Sequence, residues 1–176
     1  MNLRLGAGIA ALALTLTITG CSSNEGEVIK NNETATATAA PTTASPTPTQ
    51  AANPAFGDSY AWPDGLKATV SKPQPFTPSE YAAGANDGWT NLAWTITIEN
   101  GTKENFDPVD IWINVASGGQ EGSEIFDDGY GDYPQSTVLP GKSITWDVAY
   151  SIADPNDLQL SIEDTFGDYP EAIYTN

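Results

Sequence analysis

The fold class is decided by residues 92–101, which read Leu92-Ala93-Trp94-Thr95-Ile96-Thr97-Ile98-Glu99-Asn100-Gly101. Large apolar side chains occupy every second position up to Ile98, and smaller or polar side chains fill the positions between them. Successive side chains of a strand point to opposite faces, so this alternation predicts a strand with one buried and one wet face. The Asn-Gly pair that closes the stretch is a turn signal and predicts the end of the strand.

The same alternation recurs in three further stretches, 109–115, 144–152 and 158–162, and places Trp146 beside Trp94 among the core residues. Turn signals separate these stretches: Gly118-Gly119, Pro140-Gly141 and Asp154-Pro155-Asn156. Shorter strands are predicted near 66–71, 123–126 and 136–139. No stretch of the domain shows the 3.6-residue periodicity of apolar side chains that is typical of an amphipathic helix. The pattern therefore predicts an all-β domain of about seven antiparallel strands packed as a two-sheet sandwich.

The composition changes sharply on the N-terminal side of this domain. Residues 22–56 consist mainly of Ser, Thr, Ala, Pro, Asn and Gln. Such a stretch has too little apolar surface to offset the entropy lost on ordering, so we expect a disordered tether. The predicted organisation is a leader at 1–20, a lipidated cysteine and linker at 21–56, and the β-sandwich domain at 57–176.

The first twenty residues have the anatomy of a secretory signal peptide. Arg4 precedes an apolar run from Leu5 to Ile18, which is short for a membrane-spanning helix. The run ends in Ile18-Thr19-Gly20-Cys21, which resembles the lipobox of bacterial lipoproteins. That resemblance implies cleavage before Cys21, diacylation of its sulfur, and anchoring on the extracytoplasmic face of the cell membrane. The alternative is a leader cut elsewhere, with Cys21 as a free thiol; a single cysteine excludes intrachain disulfides.

Two short stretches of the domain resemble a known family. Residues 97–102, Thr-Ile-Glu-Asn-Gly-Thr, and 138–143, Val-Leu-Pro-Gly-Lys-Ser, look like the two signatures of an uncharacterised immunoglobulin-like family. Its members are common behind lipobox leaders, and its fold is similar to that of a secreted mycobacterial immunoprotective antigen. The resemblance implies an immunoglobulin-like sandwich and supplies no catalytic residues. The chain departs from the family between the middle strands, where the family often has an acidic residue and a single glycine and residues 117–122 read Ser-Gly-Gly-Gln-Glu-Gly.

The charge is strongly acidic, with 6 basic and 23 acidic residues in the whole chain. Residues 57–176 contain only Lys67, Lys72, Lys103 and Lys142 as basic side chains. No basic patch can form, so binding of nucleic acid through the domain is disfavoured. The acidity is consistent with solubility at an exposed surface, with a bound cation or with a basic partner.

The chain contains no histidine, and its one cysteine is the predicted lipidation site. Ser/His/Asp and Cys/His nucleophile schemes are therefore excluded. A pair of carboxylates could still serve a glycosidase, but among so many scattered acidic residues some pair meets that spacing by chance, so we expect no enzymatic activity. The densest acidic loop, 126–134, ends in Gly-Asp-Tyr-Pro, a sequence that recurs at 167–170. Calcium prefers several carboxylates on a glycine-bent backbone, so a candidate site consists of Asp127, Asp128, Asp132 and either Asp164 or Asp168. The alternative is a pair of solvated turns.

Trp112 is the unusual residue of its stretch, because the alternation that buries Ile111 and Ile113 points it outward with Asp110 and Asn114. An exposed indole can stack on a sugar ring or anchor a protein partner, or it can simply cover a sheet edge. The predicted function is a noncatalytic binding or protein-interaction module at the cell surface. The alternatives are a carbohydrate or cell-wall binding module and a calcium-stabilised structural domain.

Overall fold

The computed structural model describes residues 26–31 and 53–176. The predicted leader, Cys21 and most of the predicted linker lie outside these residues. Within them, eleven strands form two antiparallel sheets, and the one helical element is a short 3-10 turn, Pro108–Asp110. The prediction of an all-β antiparallel sandwich is confirmed.

In chain order the strands are β1 (Glu27–Ile29), β2 (Ser59–Ala61), β3 (Leu66–Val70), β4 (Gln74–Pro75), β5 (Thr90–Asn100), β6 (Ile111–Ser117), β7 (Gln120–Glu121), β8 (Ser123–Ile125), β9 (Ser143–Ile152), β10 (Leu158–Asp164) and β11 (Ala172–Thr175). The larger sheet has the order β1-β2-β3-β5-β9-β8, with β4 also paired to β5. The smaller sheet has the order β11-β10-β6-β7. The chain crosses between the two sheets from β5 to β6, from β7 to β8 and from β9 to β10.

The long central strands β5 and β9 pair in register from Thr90 opposite Ile152 to Glu99 opposite Ser143. Trp94, with 1% of its surface exposed, lies in the core with the inward side chains of both sheets. Trp146 is also buried, so both predicted core tryptophans are confirmed. The alternating apolar side chains of β5 thus lie on the core face of the larger sheet, and the side chains between them lie on its other face.

Two buried tyrosines join the sheets by reciprocal hydrogen bonds. The hydroxyl of Tyr174 on β11 donates to the carbonyl of Ala68 on β3, at 2.8 Å. The hydroxyl of Tyr150 on β9 donates to the carbonyl of Ile113 on β6, also at 2.8 Å. Each sheet therefore contributes one donor to the backbone of the other.

We expect Tyr174→Phe to lower the free energy of unfolding by about 1 to 1.5 kcal/mol, because the ring still fills its site while a buried hydrogen bond is lost. Urea denaturation at constant pH measures the change. Tyr81→Phe is the control, since 86% of the Tyr81 surface is exposed. Equal changes in the two variants would contradict a special role for the cross-sheet bond.

The structure corrects two strand assignments. Residues 136–139 form no strand, and Val138 makes only an isolated bridge to Phe106. Val109 does not begin the strand that contains Ile111; it lies in the 3-10 turn, with 49% of its surface exposed. The turn prevails because the Asp107 carboxylate caps the backbone N–H of Val109 and Pro108 fits the first helical position.

The predicted linker is also corrected at both of its ends. Glu27–Ile29 forms strand β1 on the edge of the larger sheet. At the other end, Phe56 is buried and its ring lies 6.0 Å from that of Trp94. The physical reason is local: each of these segments supplies an apolar side chain that the surrounding Ser, Thr and Pro residues lack, and burial of that side chain stabilises the ordered segment.

Candidate binding groove

One end of the sandwich carries a groove of about 850 Å³. It lies where the turn between β2 and β3 meets the chain after β5 and the segment between β10 and β11. Four aromatic side chains line it: Trp62, Phe106, Phe166 and Tyr169. Six carboxylates line it as well: Asp64, Glu104, Asp107, Asp110, Asp164 and Asp168. Lys103 is the one basic side chain among the groove residues.

The aromatic wall is built on Trp62, of which only 4% is exposed. Its ring packs edge-to-face with Tyr60 at 5.0 Å and with Tyr169 at 5.5 Å between ring centroids. Tyr169 in turn lies 6.2 Å from Phe106. The indole N–H of Trp62 donates to the carbonyl of Pro170 at 2.9 Å. Edge-to-face packing and this hydrogen bond fix the rings, so the wall is preorganised.

Two of the carboxylates hold the groove together. Asp64 accepts a hydrogen bond from the Tyr169 hydroxyl at 2.8 Å. Asp164 accepts hydrogen bonds from the backbone N–H groups of Phe166, Asp168 and Tyr169. Burial, followed by the hydrogen bond to Asp64 and the surrounding negative charges, raises the pKa of the Tyr169 hydroxyl. Tyr169 is therefore a neutral donor at any physiological pH.

Other carboxylates of the groove have no such structural task. Within residues 26–31 and 53–176, the side chains of Glu104, Asp110 and Asp168 accept no hydrogen bond, whereas the backbone carbonyl of Asp110 accepts two from Thr165. Their negative charges line the same concave surface as the four aromatic rings. Low-dielectric walls focus such a field, and aromatic faces attract cations, so the groove is suited to a positively charged group.

The three predicted ligand-binding residues do not form one site. Asp110 lies in the 3-10 turn and lines the groove. Trp112 and Asn114 lie on β6, on the outer face of the smaller sheet, opposite Glu163 and Ser161 of β10. Trp112 has 61% of its surface exposed, which confirms that it points outward.

The four carboxylates predicted to bind calcium are not brought together. Asp127 accepts hydrogen bonds from the Ser79 hydroxyl at 2.6 Å and the Ser79 backbone N–H at 2.7 Å, which lower the pKa of its carboxyl. Asp168 lines the groove, and neither Asp128 nor Asp132 does. In the part of the chain that the structure describes, no group of three or more acidic, histidine or cysteine side chains could hold a metal ion. The predicted calcium site is therefore not assembled among the described residues, because Asp164 and Asp168 line the groove and Asp127, Asp128 and Asp132 do not.

Sequence reasoning missed the aromatic wall of the groove. A signal for it was present in the repeated Gly-Asp-Tyr-Pro sequence. In the structure each repeat places its tyrosine against a tryptophan, Tyr133 at 6.3 Å from Trp146 and Tyr169 at 5.5 Å from Trp62. The repeat therefore marks two ring-packing turns.

No family model matches the chain, and no curated protein matches it. Among the described residues, no helix has the length and apolar character needed to cross a bilayer. Solved structures do show similarity to this chain, and two of them reach TM-scores above 0.5.

The yjhA protein from Bacillus subtilis is 14% identical, with a TM-score of 0.53 over 69% of this chain and 97% of that one. The ycdA protein from Bacillus subtilis subsp. subtilis str. 168, described as a lipoprotein, is 17% identical, with a TM-score of 0.52 over 64% of this chain and 36% of that one. The match thus spans about a third of the ycdA chain. At these identities the similarity shows a shared fold alone.

A third similar structure is MPT63, a secreted protein from Mycobacterium tuberculosis. It is 17% identical, with a TM-score of 0.44 over 63% of this chain and 82% of that one. This likeness is too weak to establish a shared fold.

Proposed function

We propose that this protein is a noncatalytic binding module, held outside the cytoplasmic membrane by lipid on Cys21, whose groove binds a basic segment of a protein partner. The observation that carries the proposal is the groove itself, where four aromatic rings and six carboxylates line one concave surface. The lipobox resemblance of residues 18–21 supports the anchor, and so does the description of ycdA, which shares the fold, as a lipoprotein.

The groove matches the chemistry of a lysine or arginine side chain. The aliphatic stem of such a side chain can pack on the accessible rings of Phe166 and Tyr169, while its charged end meets carboxylates such as Asp110 and Asp168. The fixed rings would give shape selectivity, and the carboxylates would steer the approach of a basic partner.

We further propose that the module has no enzymatic activity. The groove contains no histidine or thiol, so it offers no nucleophile activated by an imidazole base. A binding role needs only the surface that the groove presents.

The test is calorimetric titration of the chain from Cys21 to Asn176 with a lysine-rich peptide and with the same peptide acetylated on every lysine. We expect binding of the unmodified peptide only, weakening as salt is raised. The double variant Asp110→Asn/Asp168→Asn should bind about tenfold more weakly, because each lost charge contributes up to about 1 kcal/mol.

The matched control is Asp128→Asn/Asp132→Asn, which changes the net charge equally through two exposed carboxylates away from the groove. It should leave the affinity within about twofold of the parent, since screened charges outside a site contribute little. Equal losses in the two double variants would reduce the effect to net charge and would refute the groove as the site.

A second candidate function is binding of cell-wall glycan by Trp112, favoured by its 61% exposure beside Glu163. Co-sedimentation with purified wall polysaccharide separates the two candidates. If glycan binding is correct, Trp112→Ala should weaken retention about tenfold, as expected for a lost ring stack, while the groove variant is retained like the parent. Retention of neither parent nor variants would exclude the glycan candidate.

A further inference from the structure

Strand β1 is attached to the edge of the larger sheet, in the part of the chain nearest to Cys21. It pairs antiparallel with β2, with Glu27 opposite Ala61, Val28 opposite Tyr60 and Ile29 opposite Ser59. The side chain of Val28 is partly buried and packs against the core. A three-residue strand is short, so contacts outside the ladder are needed to hold it.

Side-chain contacts fasten both ends of β1. Before the strand, the backbone N–H of Gly26 donates to the Tyr60 hydroxyl at 2.8 Å. After it, the Asn31 amide donates to the carbonyl of Gly57 at 3.0 Å and to the Ser59 hydroxyl at 2.9 Å. The backbone N–H of Asn31 also donates to the Asp58 carboxylate at 3.2 Å. These bonds define a docked position for the segment.

The direction of β1 places its N-terminal end beside the groove. Because the pairing is antiparallel, Glu27 lies next to Ala61, the residue before Trp62 in the groove wall. The backbone N–H of Trp62 donates to Leu66, which pairs with Asn100 at the groove end of β5. Trp89 precedes the opposite end of β5, about 33 Å away for an eleven-residue strand. The chain therefore enters the domain at the groove end.

The covalent distance from this entry point to Cys21 is short. Cys21 precedes Gly26 by five residues, a span of at most about 18 Å. Without docking of β1, the first described residue after Cys21 that belongs to the domain would be Asn53, and the 32 intervening steps would allow about 110 Å. Docking thus shortens the longest reach of the anchor roughly sixfold.

We propose that β1 is a docking strand that fixes the lipid anchor at the groove end of the domain, within at most about 20 Å of Gly26, so that the groove opens towards the membrane surface. The basic partner would then be the segment of a membrane protein that lies next to the bilayer. The orientation towards the membrane rests on the proposed lipidation, whereas the docking of β1 does not.

The test uses the single cysteine as a probe site. The chain from Cys21 to Asn176 is produced without the leader, with 5-fluorotryptophan at its tryptophans and a nitroxide on Cys21. Fluorine resonances of Trp62 and Trp89 report the two ends of the domain, and that of buried Trp94 reports folding. We expect severalfold stronger paramagnetic broadening of Trp62 than of Trp89.

Two variants of β1 make the test specific. Val28→Asn replaces the side chain that packs against the core and should remove most of the excess broadening of Trp62, with Trp94 unchanged. Ile29→Asn also replaces an apolar side chain by Asn, one residue later, at a side chain with 41% exposure. This variant should keep the excess broadening of Trp62. Equal broadening of Trp62 and Trp89 in the parent, or a pattern unaffected by Val28→Asn, would overturn the docking strand.

The membrane arm couples Cys21 to a maleimide lipid in a nanodisc that carries a gadolinium-chelating lipid. Stronger broadening of Trp62 than of Trp89 would support the membrane-facing groove, and the reverse order would overturn it. Neither arm depends on natural lipidation, which mass spectrometry of the protein from cells tests separately. Loss of the proposed anchor would therefore be distinguishable from failure of the docking strand.

Discussion

Asn100→Asp is expected to lower the free energy of unfolding by about 3 kcal/mol at pH 7, because it places an unpaired charge among backbone carbonyls. Asn100 has 1% of its surface exposed. Its amide nitrogen donates to the carbonyls of Val138 at 2.7 Å and Glu104 at 2.9 Å. A carboxylate has the same shape but no donor, so both carbonyls would face a negative oxygen.

The loss should depend on pH in a defined direction. Burial and the facing carbonyls would raise the folded-state pKa of the new carboxyl above its unfolded value of about 3.9. A protonated carboxyl can donate to one carbonyl, so the deficit relative to the parent is smallest below pH 4 and grows as pH rises through the folded-state pKa. Urea denaturation of both proteins at pH 7 and pH 4.5 measures the difference.

The control is Asn105→Asp, the same replacement at an exposed position of the groove rim. It should change the free energy of unfolding by less than about 0.5 kcal/mol, as is usual for surface sites. A similar loss in both variants, or a deficit at Asn100 that grows on acidification, would contradict the assigned role of the Asn100 amide.

Gly101→Ala is expected to lower the free energy of unfolding by about 2 to 3 kcal/mol, because the added methyl group overpacks against the backbone. A Cβ at Gly101 would lie 2.4 Å from the carbonyl oxygen of Gly65, and the backbone N–H of Gly101 donates to the same oxygen at 3.1 Å. The contact is with main chain at a turn, so no flexible side chain can move aside. Thermal and urea unfolding give the magnitude.

Gly119→Ala separates this contact from the general effect of replacing glycine. Gly119 has a φ of +73°, and a Cβ there would meet nothing within 4 Å. Gly119→Ala should lower the free energy of unfolding by only about 1 kcal/mol, the cost of placing alanine in the left-handed backbone region. A larger loss at Gly119 than at Gly101 would show that backbone conformation, not the close approach to Gly65, sets the cost.

Asn100 and Gly101 lie where the stretches 97–102 and 138–143 meet in the structure. The backbone N–H of Asn100 donates to the carbonyl of Lys142 at 2.8 Å, and that of Gly141 donates to the carbonyl of Asn100 at 2.6 Å. The two stretches on which the family resemblance rests therefore form one junction at the groove end. Thr102 and Glu104 follow this junction and line the groove. The hydrogen bonds of the junction therefore help to position the groove residues.

The sequence by itself determined the four long strands, β5, β6, β9 and β10, and the faces of their side chains, whereas the short strands β1, β2, β4, β7 and β11 gave no signal that we used. Period-two alternation is a local property, because neighbouring side chains of a strand point to opposite faces whatever the strand pairs with. It placed Trp94 and Trp146 in the core and Trp112 in solvent, and the structure agrees. The alternation gave a wrong prediction at Val109, because the 3-10 turn capped by Asp107 contains this residue and the strand begins only after it.

Only the tertiary structure decided the pairing of the strands, the docking of β1 and the groove. Trp62 and Pro170, joined across the groove wall, are 108 residues apart, and Gly26 and Tyr60 are 34 apart. Contacts at such separations depend on how both sheets pack, and no local pattern encodes them. The acidic residues were visible in the sequence, but their convergence with four aromatic rings at one end follows from the path of the chain through the sandwich.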